Sequence, residues 1–286
     1  MKKLLITGAS GFLGRRIADF YSETYEIAAP THTELDITDP DNIAFVLKKY
    51  QPDVIIHCAA MSDVGRCEKE PEQSWNINVA GSVNVAKAAG EINAKCILCS
   101  SDQVYFSMLE ADNAKAHREE EELRPGNLYG REKLKAEQEC LSLNPGCILL
   151  RLTWMYDVKP GRPGEHGDFF RTLLPKLSGA EAIPFPVYDR RGITDVCEVV
   201  RNMEKTFELP GGVYNFGSPN EHNTYETVRR AFAEAGLDTG RLRKNEEAFC
   251  ANPRNLAMCQ EKINRHNIFF SETADGIAKN LAVALL

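Results

Sequence analysis

Tyr129 and Lys133 are the residues of this 286-residue sequence whose types and spacing most directly suggest chemistry. They lie four positions apart, so a helix would place both side chains on one face. A tyrosine with its ordinary pKa of about 10 transfers protons poorly at neutral pH. An adjacent ammonium favours the phenolate and brings the phenol into range for proton transfer. We therefore interpret the pair as a proton-transfer centre rather than as two unrelated surface side chains.

Ser100 and Ser101 supply a third polar group, because they end a predicted strand at 95–100. A hydroxyl at a strand end could donate a hydrogen bond to the carbonyl oxygen of a substrate. The residues alone do not choose between the two serines. Together with Tyr129 and Lys133, they predict hydride transfer to a carbonyl group, with Tyr129 as the proton donor.

The glycine-rich stretch 7–14 indicates where the hydride carrier would bind. It follows a short apolar strand and leads into a predicted helix over 12–21. Gly8 permits a sharp turn, Gly11 lets the backbone approach a pyrophosphate, and Gly14 lets the helix pack close to the strand. Free N–H groups at the helix start would face the anion. The predicted dinucleotide contacts in this loop are Gly8, Ser10, Gly11, Phe12, Leu13 and Gly14.

The end of the predicted second strand, 25–29, bears on the choice of dinucleotide. An acidic residue there would bind the ribose hydroxyls of NAD, whereas basic groups suit a 2′-phosphate. Residues 31–33 contain His32 but no acid, and Arg15 and Arg16 directly follow the loop. The pattern favours NADP(H) over NAD(H). The alternative is that both arginines are solvated on the helix surface.

Alternating strands and helices predict an α/β fold with a doubly wound parallel sheet, a Rossmann fold. The alternation weakens near Trp154, where a loop rich in proline and glycine follows at 159–167. We expect residues 1–155 to form the dinucleotide-binding domain and 156–286 to form mainly a smaller α+β substrate lobe. Residues of about 190–215 are expected to return to the first domain. The predicted segments are strands at 53–60, 95–100, 146–152 and 212–216 and helices at 41–49, 72–90 and 125–141.

Composition excludes several classes of function. The formal net charge of −7 disfavours sequence-independent nucleic-acid binding. No apolar run approaches the roughly 20 residues of a membrane span, and the N-terminal apolar run is too short for a signal peptide. We therefore expect a cytoplasmic protein without a membrane partner. The histidines form no ligand-like cluster, and Cys96 and Cys99 are expected to be core residues rather than metal ligands, so no metal site is predicted.

These motifs resemble the extended short-chain dehydrogenase/reductase superfamily along nearly the whole chain. Within it, the sequence is most similar to the dTDP-4-dehydrorhamnose reductase family. The resemblance implies NAD(P)H-dependent reduction of the 4-keto group of a nucleotide-activated 6-deoxy sugar, and a homodimer is possible. The matching segments are 7–14, 35–39, 57–60, 78–84, 100–102, 125–133, 151–156 and 252–256.

The family pattern also implies roles for individual residues. Tyr129 would be the acid, Lys133 its partner and Ser101 the third catalytic hydroxyl, while Asp36 would lie near the adenine. The remaining cofactor contacts implied by the matching segments are Ile37, Cys58, Ala59, Ala60, Asn78 and Ser100, together with Tyr129 and Lys133.

On the substrate side, the resemblance places Trp154 near the bound sugar nucleotide, with a core aromatic as the equal alternative. Arg191 or Arg254 could hold a substrate diphosphate through its fork of donors, and the sequence does not choose between them. Ser101, Asp102 and Gln103 would line the same pocket.

The chain departs from the family pattern at 100–107. The reductases usually carry Ser-Thr-Asp-Tyr-Val-Phe followed by Asp-Gly, whereas this chain has Ser101, Gln103 and no such glycine. Serine keeps the hydroxyl, so reduction is still expected, although the pocket could differ. Sugar-nucleotide 4,6-dehydratases use an Asp-Glu pair here, so glutamine disfavours dehydration.

Two alternatives remain open. A sugar-nucleotide epimerase of the same superfamily retains its cofactor, usually NAD bound by an acid that this chain lacks. A non-catalytic protein similar to the regulatory beta subunit of methionine adenosyltransferase would bind a dinucleotide without turnover. The presence of Tyr129, Lys133 and the serine favours an NAD(P)-dependent oxidoreductase.

Overall fold

The three-dimensional structure is a computed structural model that describes residues 1–107, 115–159 and 167–285. The chain divides into two compact units. The first consists of Met1–Val104, Leu123–Arg151 and Val200–Tyr214, and the second of Tyr105–Glu122, Leu152–Val199 and Asn215–Leu286. The sequence-based boundary at 155 thus lies four residues beyond Arg151, the end of the second of the first unit's three segments. Residues 105–122, which we placed in the dinucleotide domain, belong to the second unit.

The described residues form twelve strands, which we number in chain order. They are β1 Lys3–Thr7, β2 Glu26–Ala28, β3 Val54–His57, β4 Lys95–Ser101, β5 Ile148–Leu152, β6 Trp154–Tyr156, β7 Ile183–Pro186, β8 Asp189–Arg191, β9 Ile193–Asp195, β10 Gly212–Phe216, β11 Leu242–Asn245 and β12 Arg254–Leu256.

Six of these strands form the main sheet, in the order β10-β5-β4-β3-β1-β2. The chain runs from β1 out to β2 and then returns past β1 to β3, and these neighbours pair in parallel, as β3 and β4 do. The strand order therefore reverses between β1 and β3, which is where an open α/β sheet leaves a crevice for a ligand. The predicted doubly wound α/β fold is confirmed.

Six α-helices belong to the first unit: α1 Phe12–Tyr21, α2 Pro40–Tyr50, α3 Val64–Lys69, α4 Pro71–Trp75, α5 Ser82–Glu91 and α6 Leu128–Leu143. Apolar side chains of the sheet pack against them. Leu5, Ile55 and Leu149 form one buried cluster with Val46 of α2 and Val85 of α5. Burial of the strands explains why they read as continuous apolar runs rather than as alternating patterns.

The prediction of one continuous helix at 72–90 is wrong in its middle. A π-helix, Asn76–Gly81, separates α4 from α5. The apolar periodicity of the sequence cannot reveal the additional residue in a π-helical turn. Asn78 lies in this turn, and its side chain is fully buried and bonds to groups that are distant in the sequence. The short helix α3 was also not predicted.

Helix α6 begins at Leu128 rather than at the predicted residue 125. Asn127 has extended backbone angles, and its side chain accepts a hydrogen bond from the Gly130 amide. Asn127 is therefore the N-cap, and the helix starts at the residue after it.

The second unit contains three two-stranded parallel pairs, β6–β9, β7–β11 and β8–β12. Its helices are α7 Phe169–Leu177, the start of α8 Val196–Met203, α9 Thr224–Glu234, α10 Glu261–Asn264 and α11 Thr273–Ala284. A cluster that includes Tyr156, Phe170, Phe232 and Ile277 forms its core. Most of the predicted loop at 159–167 lies outside the described residues. In the part of the chain that the structure describes, no helix has the length and apolar composition to cross a membrane.

Candidate active site

The first two turns of α6 carry the predicted proton-transfer pair close to the end of β4. A Cβ atom at Gly130 would lie only 2.4 Å from the carbonyl oxygen of Gln103. The glycine therefore lets the helix approach the 3₁₀ turn Asp102–Tyr105 that follows β4. Neither Gly130 nor the N-cap Asn127 was predicted as a site residue, although Asn is a preferred residue at a helix N-cap.

Tyr129, Lys133 and Ser101 come together in the first unit. Each side chain is less than 10% exposed, and the Ser101 side chain lies near enough to the Tyr129 phenol to lower its pKa. The Lys133 Nζ lies 5.7 Å from the centre of the Tyr129 ring and donates to the Cys99 carbonyl oxygen at 3.0 Å. The arrangement places a phenol, a hydroxyl and an ammonium at the carboxyl end of β4.

Burial dominates the acid–base properties of Tyr129. It raises the pKa of the phenol well above the usual value, the neighbouring Ser101 side chain lowers it, and the Asp102 carboxylate raises it further. Burial also lowers the pKa of Lys133. In the free protein, the cost of burying a charge thus outweighs the effect of an ammonium at this distance, and the role of Lys133 in favouring the phenolate stays a prediction. The neutral phenol is the form that can donate a proton.

The structure distinguishes the two serines at the end of β4. Ser100 donates a 2.5 Å hydrogen bond to Oε1 of Glu137, which forms a fully buried ion pair with Arg151. The Ser100 hydroxyl therefore bonds to a side chain of the first unit. We had expected it to contact the cofactor. Ser101 is the serine that faces Tyr129, and its Oγ also accepts from the Gln103 amide at 3.2 Å.

Gln103 and Asp102 are buried beside Ser101. The Gln103 amide group donates to Asp102 at 3.5 Å, and its Oε1 accepts from Asn127 at 2.9 Å. The glutamine side chain is held by neighbours that belong to the α6 cap. It therefore supplies a fixed neutral amide at the position where elimination chemistry would need an acid.

The glycine loop after β1 has the close packing that its residues predict. Gly8 has a φ of +66°, and a Cβ there would lie 2.6 Å from the Ala59 nitrogen. A Cβ at Gly14 would lie 2.5 Å from the Gly8 carbonyl oxygen. No side chain caps α1 at Gly11, so the amides at the start of this helix have no side-chain acceptor there. This loop and helix start fit a dinucleotide pyrophosphate.

His57 connects the loop to the neighbouring helix through buried hydrogen bonds. The Ala59 amide donates to the Thr7 hydroxyl at 3.2 Å, and that oxygen lies 2.7 Å from His57 Nδ1. His57 Nε2 lies 3.1 Å from the Ser82 hydroxyl, which itself donates to the Asn78 carbonyl oxygen. Donors and acceptors are consistent when the neutral ring carries its proton on Nε2. Burial lowers the pKa of His57 to about 3, so the ring stays neutral.

The residues expected near the adenine end differ in exposure. His32 is exposed and Ile37 is buried, whereas the Asp36 carboxylate accepts from both the amide and the hydroxyl of Thr38. These hydrogen bonds lower the pKa of Asp36. Cys58, Ala59 and Ala60 follow β3 directly and are half-buried.

Arg15 and Arg16, the basic candidates for a 2′-phosphate, have different surroundings. Arg16 donates to the Phe12 carbonyl oxygen at 2.6 Å and stacks on the Phe12 ring at 4.0 Å. Arg15 approaches the Ser10 carbonyl oxygen at only 3.5 Å. Arg15 is therefore the less constrained of the two guanidinium groups.

Asn78 does not offer its side chain to a ligand, contrary to the expected cofactor contact. It is fully buried, and its amide bonds to both backbone groups of Met61 and to Glu132. Its role in the structure is to hold the segment after β3 against α6. Asn78 bonds to Met61 and Glu132, 17 and 54 positions away, as well as to the nearby Ser74, and the sequence pattern could not reveal the two distant contacts.

Of the predicted substrate residues, Trp154, Arg191 and Arg254 lie in the second unit, whereas Ser101, Asp102 and Gln103 lie in the first. The Arg191 guanidinium stacks on Trp154 at 5.4 Å, and Trp154 packs edge-on to Phe169. Arg254, on the strand paired with β8, forms a 2.7 Å ion pair with Asp189. The structure thus brings Trp154 and Arg191 together, whereas the charge of Arg254 is already matched by a carboxylate. Among the described residues, no group of three His, Cys, Asp or Glu side chains could hold a metal ion.

Comparison with known proteins identifies the family. The model of the RmlD substrate-binding domain family matches residues 1–273. The chain belongs to this family. Its membership confirms the predicted relationship to the dTDP-4-dehydrorhamnose reductases and the predicted class, an NAD(P)-dependent oxidoreductase.

Individual relatives of this RmlD-family chain include a reductase and a regulatory subunit. It is 29% identical to dTDP-4-dehydrorhamnose reductase of Mycolicibacterium smegmatis, over 85% of this chain and 72% of that protein. It is 34% identical to methionine adenosyltransferase 2 subunit beta of Xenopus laevis, over 88% of this chain and 78% of that protein.

A solved structure of dTDP-4-dehydrorhamnose reductase from Bacillus anthracis, in complex with NADP, superimposes with a TM-score of 0.82 at 25% identity. That alignment covers 98% of this chain and 99% of the other. The reductase from Clostridium acetobutylicum gives a TM-score of 0.84 over 99% of this RmlD-family chain and all of that one, at 22% identity. The second likeness concerns the fold alone.

Proposed function

We propose that the protein reduces the 4-keto group of a nucleotide-activated 6-deoxy sugar with NAD(P)H, and that Tyr129 donates the proton. The observation that carries this proposal is the buried, neutral Tyr129 phenol beside the buried Ser101 side chain, with Lys133 one helical turn away. A reductase needs a protonated acid beside its carbonyl substrate. Burial keeps Tyr129 in that form.

In the proposed mechanism, a nicotinamide dinucleotide held by the glycine loop after β1 would supply a hydride to the carbonyl carbon. The carbonyl oxygen would take up the electron pair of the C=O bond and the proton of the Tyr129 hydroxyl. Ser101 donates a hydrogen bond to the same oxygen and so stabilises the developing negative charge. Lys133 stabilises the phenolate that remains on Tyr129.

NADP(H) is the cofactor that we propose over NAD(H). The loop after β1 approaches the segment after β3 closely enough to exclude any side chain at Gly8. The loosely held Arg15 supplies positive charge for a 2′-phosphate, and the exposed His32 offers a ring N–H to the same group. Support also comes from the B. anthracis relative, whose structure contains NADP.

The nucleotide-sugar substrate is proposed to contact Trp154 and Arg191 in the second unit. An indole with a guanidinium stacked on it offers an apolar face beside a fork of donors, which suits a base or sugar next to a diphosphate. Arg254 is the weaker candidate because Asp189 already pairs with it. A homodimer stays a prediction.

A non-catalytic regulatory role is the second candidate, favoured by the 34% identity to the methionine adenosyltransferase beta subunit of X. laevis. The assembled Tyr129, Lys133 and Ser101 argue for turnover instead. The epimerase alternative is weaker, because no acidic side chain lies at residues 31–33 after β2 to retain NAD.

The test is consumption of NADPH and of NADH over a panel of nucleotide-linked 4-keto sugars. We expect turnover with at least one dTDP-linked 4-keto-6-deoxy sugar and a higher kcat/KM with NADPH. Dinucleotide binding without turnover on any member would support the regulatory role and contradict the reductase. NAD that co-purifies with the protein and is never released by substrate would support the epimerase.

A further inference from the structure

Two cysteines face each other at the carboxyl ends of neighbouring strands. Cys58 directly follows β3 and Cys99 lies in β4, and the parallel register pairs His57 with Leu98, so the next pair is Cys58 with Cys99. Their Sγ atoms are 3.7 Å apart. Adjacent strands are about 4.8 Å apart, which lies within the Cα separation that disulfides span. A disulfide therefore requires only a small side-chain movement.

The surroundings make one thiol of this pair reactive. The contact with Cys58 and the Lys133 ammonium hold the pKa of Cys99 below its usual value. The same contact and burial raise the pKa of Cys58. Both residues are half-buried, so we expect a small oxidant to reach them. We assign Cys99 as the nucleophile, because the Lys133 ammonium bonds to its carbonyl oxygen, and Cys58 as the second thiol.

A second pair of cysteines in the same sheet provides an internal comparison. Cys96 forms a side-chain contact with Cys147, but both are fully buried in the core. Burial and that contact raise the pKa of Cys96. Cys96 is the core residue that we predicted, whereas Cys99 is not, because it lies at the strand end where the sheet opens. The two pairs share proximity and differ in access and charge.

We propose that Cys58 and Cys99 are a redox-active dithiol, which a hydroperoxide converts to a disulfide. The Cys99 thiolate attacks the peroxide O–O bond, which forms Cys99 sulfenic acid and releases hydroxide, or the alcohol from an organic peroxide. The Cys58 sulfur then attacks the Cys99 sulfur, and water leaves. The two thiols lose two electrons and the peroxide gains them. This modification site does not depend on the proposed reductase activity.

The disulfide would alter the surroundings of Lys133, since its ammonium bonds to the Cys99 carbonyl oxygen and its charge acts on both sulfurs. Oxidation is therefore positioned to act on the same lysine that the catalytic hypothesis uses. The covalent step and its effect on turnover are separate measurements, so failure of one does not decide the other.

The test treats the reduced full-length protein with hydrogen peroxide at a small molar excess, followed by alkylation and peptide mass spectrometry without reductant. We expect a Cys58–Cys99 cross-linked peptide that dithiothreitol removes, and about a tenth as much Cys96–Cys147 cross-link because burial excludes the oxidant. Intact Cys58 and Cys99 thiols after treatment, or equal cross-linking of both pairs, would overturn the proposal.

Two variants identify the attacking sulfur. Cys58→Ser leaves Cys99 without a second thiol, so dimedone should label a sulfenic acid at Cys99. Cys99→Ser should leave Cys58 unlabelled at the same dose. Labelling of Cys58 in Cys99→Ser and no labelling of Cys99 in Cys58→Ser would contradict the assigned roles. The exposed Cys250 reports the general oxidation in every sample.

Discussion

Tyr129 is protonated throughout the neutral pH range, because burial raises its pKa and the Asp102 carboxylate raises it further. The phenol can therefore give its proton only when negative charge develops on a partner held against it. In the proposed mechanism, Ser101 bonds to the same partner, and Lys133 stabilises the phenolate that forms. At the scale of single residues, burial disfavours the charged form of Tyr129 before the reaction, and the proposed mechanism stabilises the charge that forms during it.

Replacing Tyr129 by Phe should lower kcat by about 10²- to 10⁴-fold, the usual contribution of a positioned acid. The ring and its packing stay, so NADPH affinity should change by less than about twofold in a fluorescence titration. Tyr50→Phe on α2 is the matched control and should keep full activity. Full activity of Tyr129→Phe would contradict the proposed donor.

His57 should make folding stability depend on acidity. Its pKa is lowered to about 3 in the folded protein by burial, whereas an unfolded histidine has a pKa of about 6.5. Only the unfolded state takes up the proton between these values. Stability is therefore fully present above about pH 6.5 and falls by up to about 1.4 kcal/mol per pH unit as the pH decreases towards 3.

Urea unfolding at pH 7.5, 6.5 and 5.5 measures this slope. His57→Gln should be less stable at every pH but show a shallower slope, because the titrating group is gone. His222→Gln, at an exposed position, should keep the wild-type slope. An unchanged slope in His57→Gln would assign the acid sensitivity to other groups.

Helix α6 is the element on which the site depends. Its first three turns carry Tyr129, Lys133 and Glu137 in succession, and the ion pair of Glu137 with Arg151 and its bond from Ser100 fasten the helix to β5 and β4. Removing one partner of such a buried pair typically costs about 3–5 kcal/mol. The buried ion pair of Glu137 and the N-cap Asn127 therefore both fix the orientation of the helical segment that carries Tyr129.

Asn127→Ala should lower the free energy of unfolding by about 1 kcal/mol, the usual value of an N-cap. It should lower kcat more than this loss suggests, because Asn127 also holds Gln103 beside Ser101. Asn127→Asp is the matched variant, since aspartate caps the helix but cannot donate to Gln103. We expect Asn127→Asp to restore stability and only part of kcat, as measured by urea unfolding and steady-state kinetics.

Equal effects of both variants on stability and on kcat would contradict a separate contribution of the Asn127 amide to the site.

Local patterns predicted α1, α6 and the strands around them, because apolar periodicity, a glycine turn and a Tyr-x-x-x-Lys spacing are all encoded within a few residues. The π-helix at Asn76–Gly81, the engagement of Ser100 by Glu137 and the hydrogen bonds through His57 were not predicted. Each depends on partners 17 to 54 positions away. Such contacts exist only once the sheet has aligned the strand ends.

At the scale of the whole molecule, the family match runs through both compact units, from residue 1 to residue 273. The first unit holds the loop, the strand ends and α6, and the second holds Trp154 and Arg191. The proposed division of labour is therefore cofactor and proton transfer in one unit and substrate recognition in the other. The weaker alternation of strands and helices near Trp154 indicated the start of the second unit. It could not show that Tyr105–Glu122 belongs to that unit, because three-dimensional contacts define the units.

Dinucleotide binding should stabilise the whole chain by mass action, so thermal unfolding reports affinity. The increase in Tm should be larger with NADPH than with NADH. Arg15→Ala should reduce the NADPH effect, with affinity about tenfold weaker or more, as expected for losing a charged hydrogen bond. Its NADH effect should not change.

Arg16→Ala is the matched control, since Phe12 already engages that guanidinium. It should leave the difference between the two cofactors intact. Equal Tm increases for NADPH and NADH in the wild type would contradict the proposed preference.

The π-helix at Asn76–Gly81 also has a consequence for how the chain length can vary. Its widened turn accommodates one residue more than an α-helix of the same rise would. A deletion of one residue within this segment can be absorbed by a regular α-helical turn, whereas the same deletion in α5 would rotate every following side chain by about 100°. We therefore expect the π-helical segment, which places Asn78 against Met61, to be the position where this helix can lose one residue while the side chains after it keep their orientation.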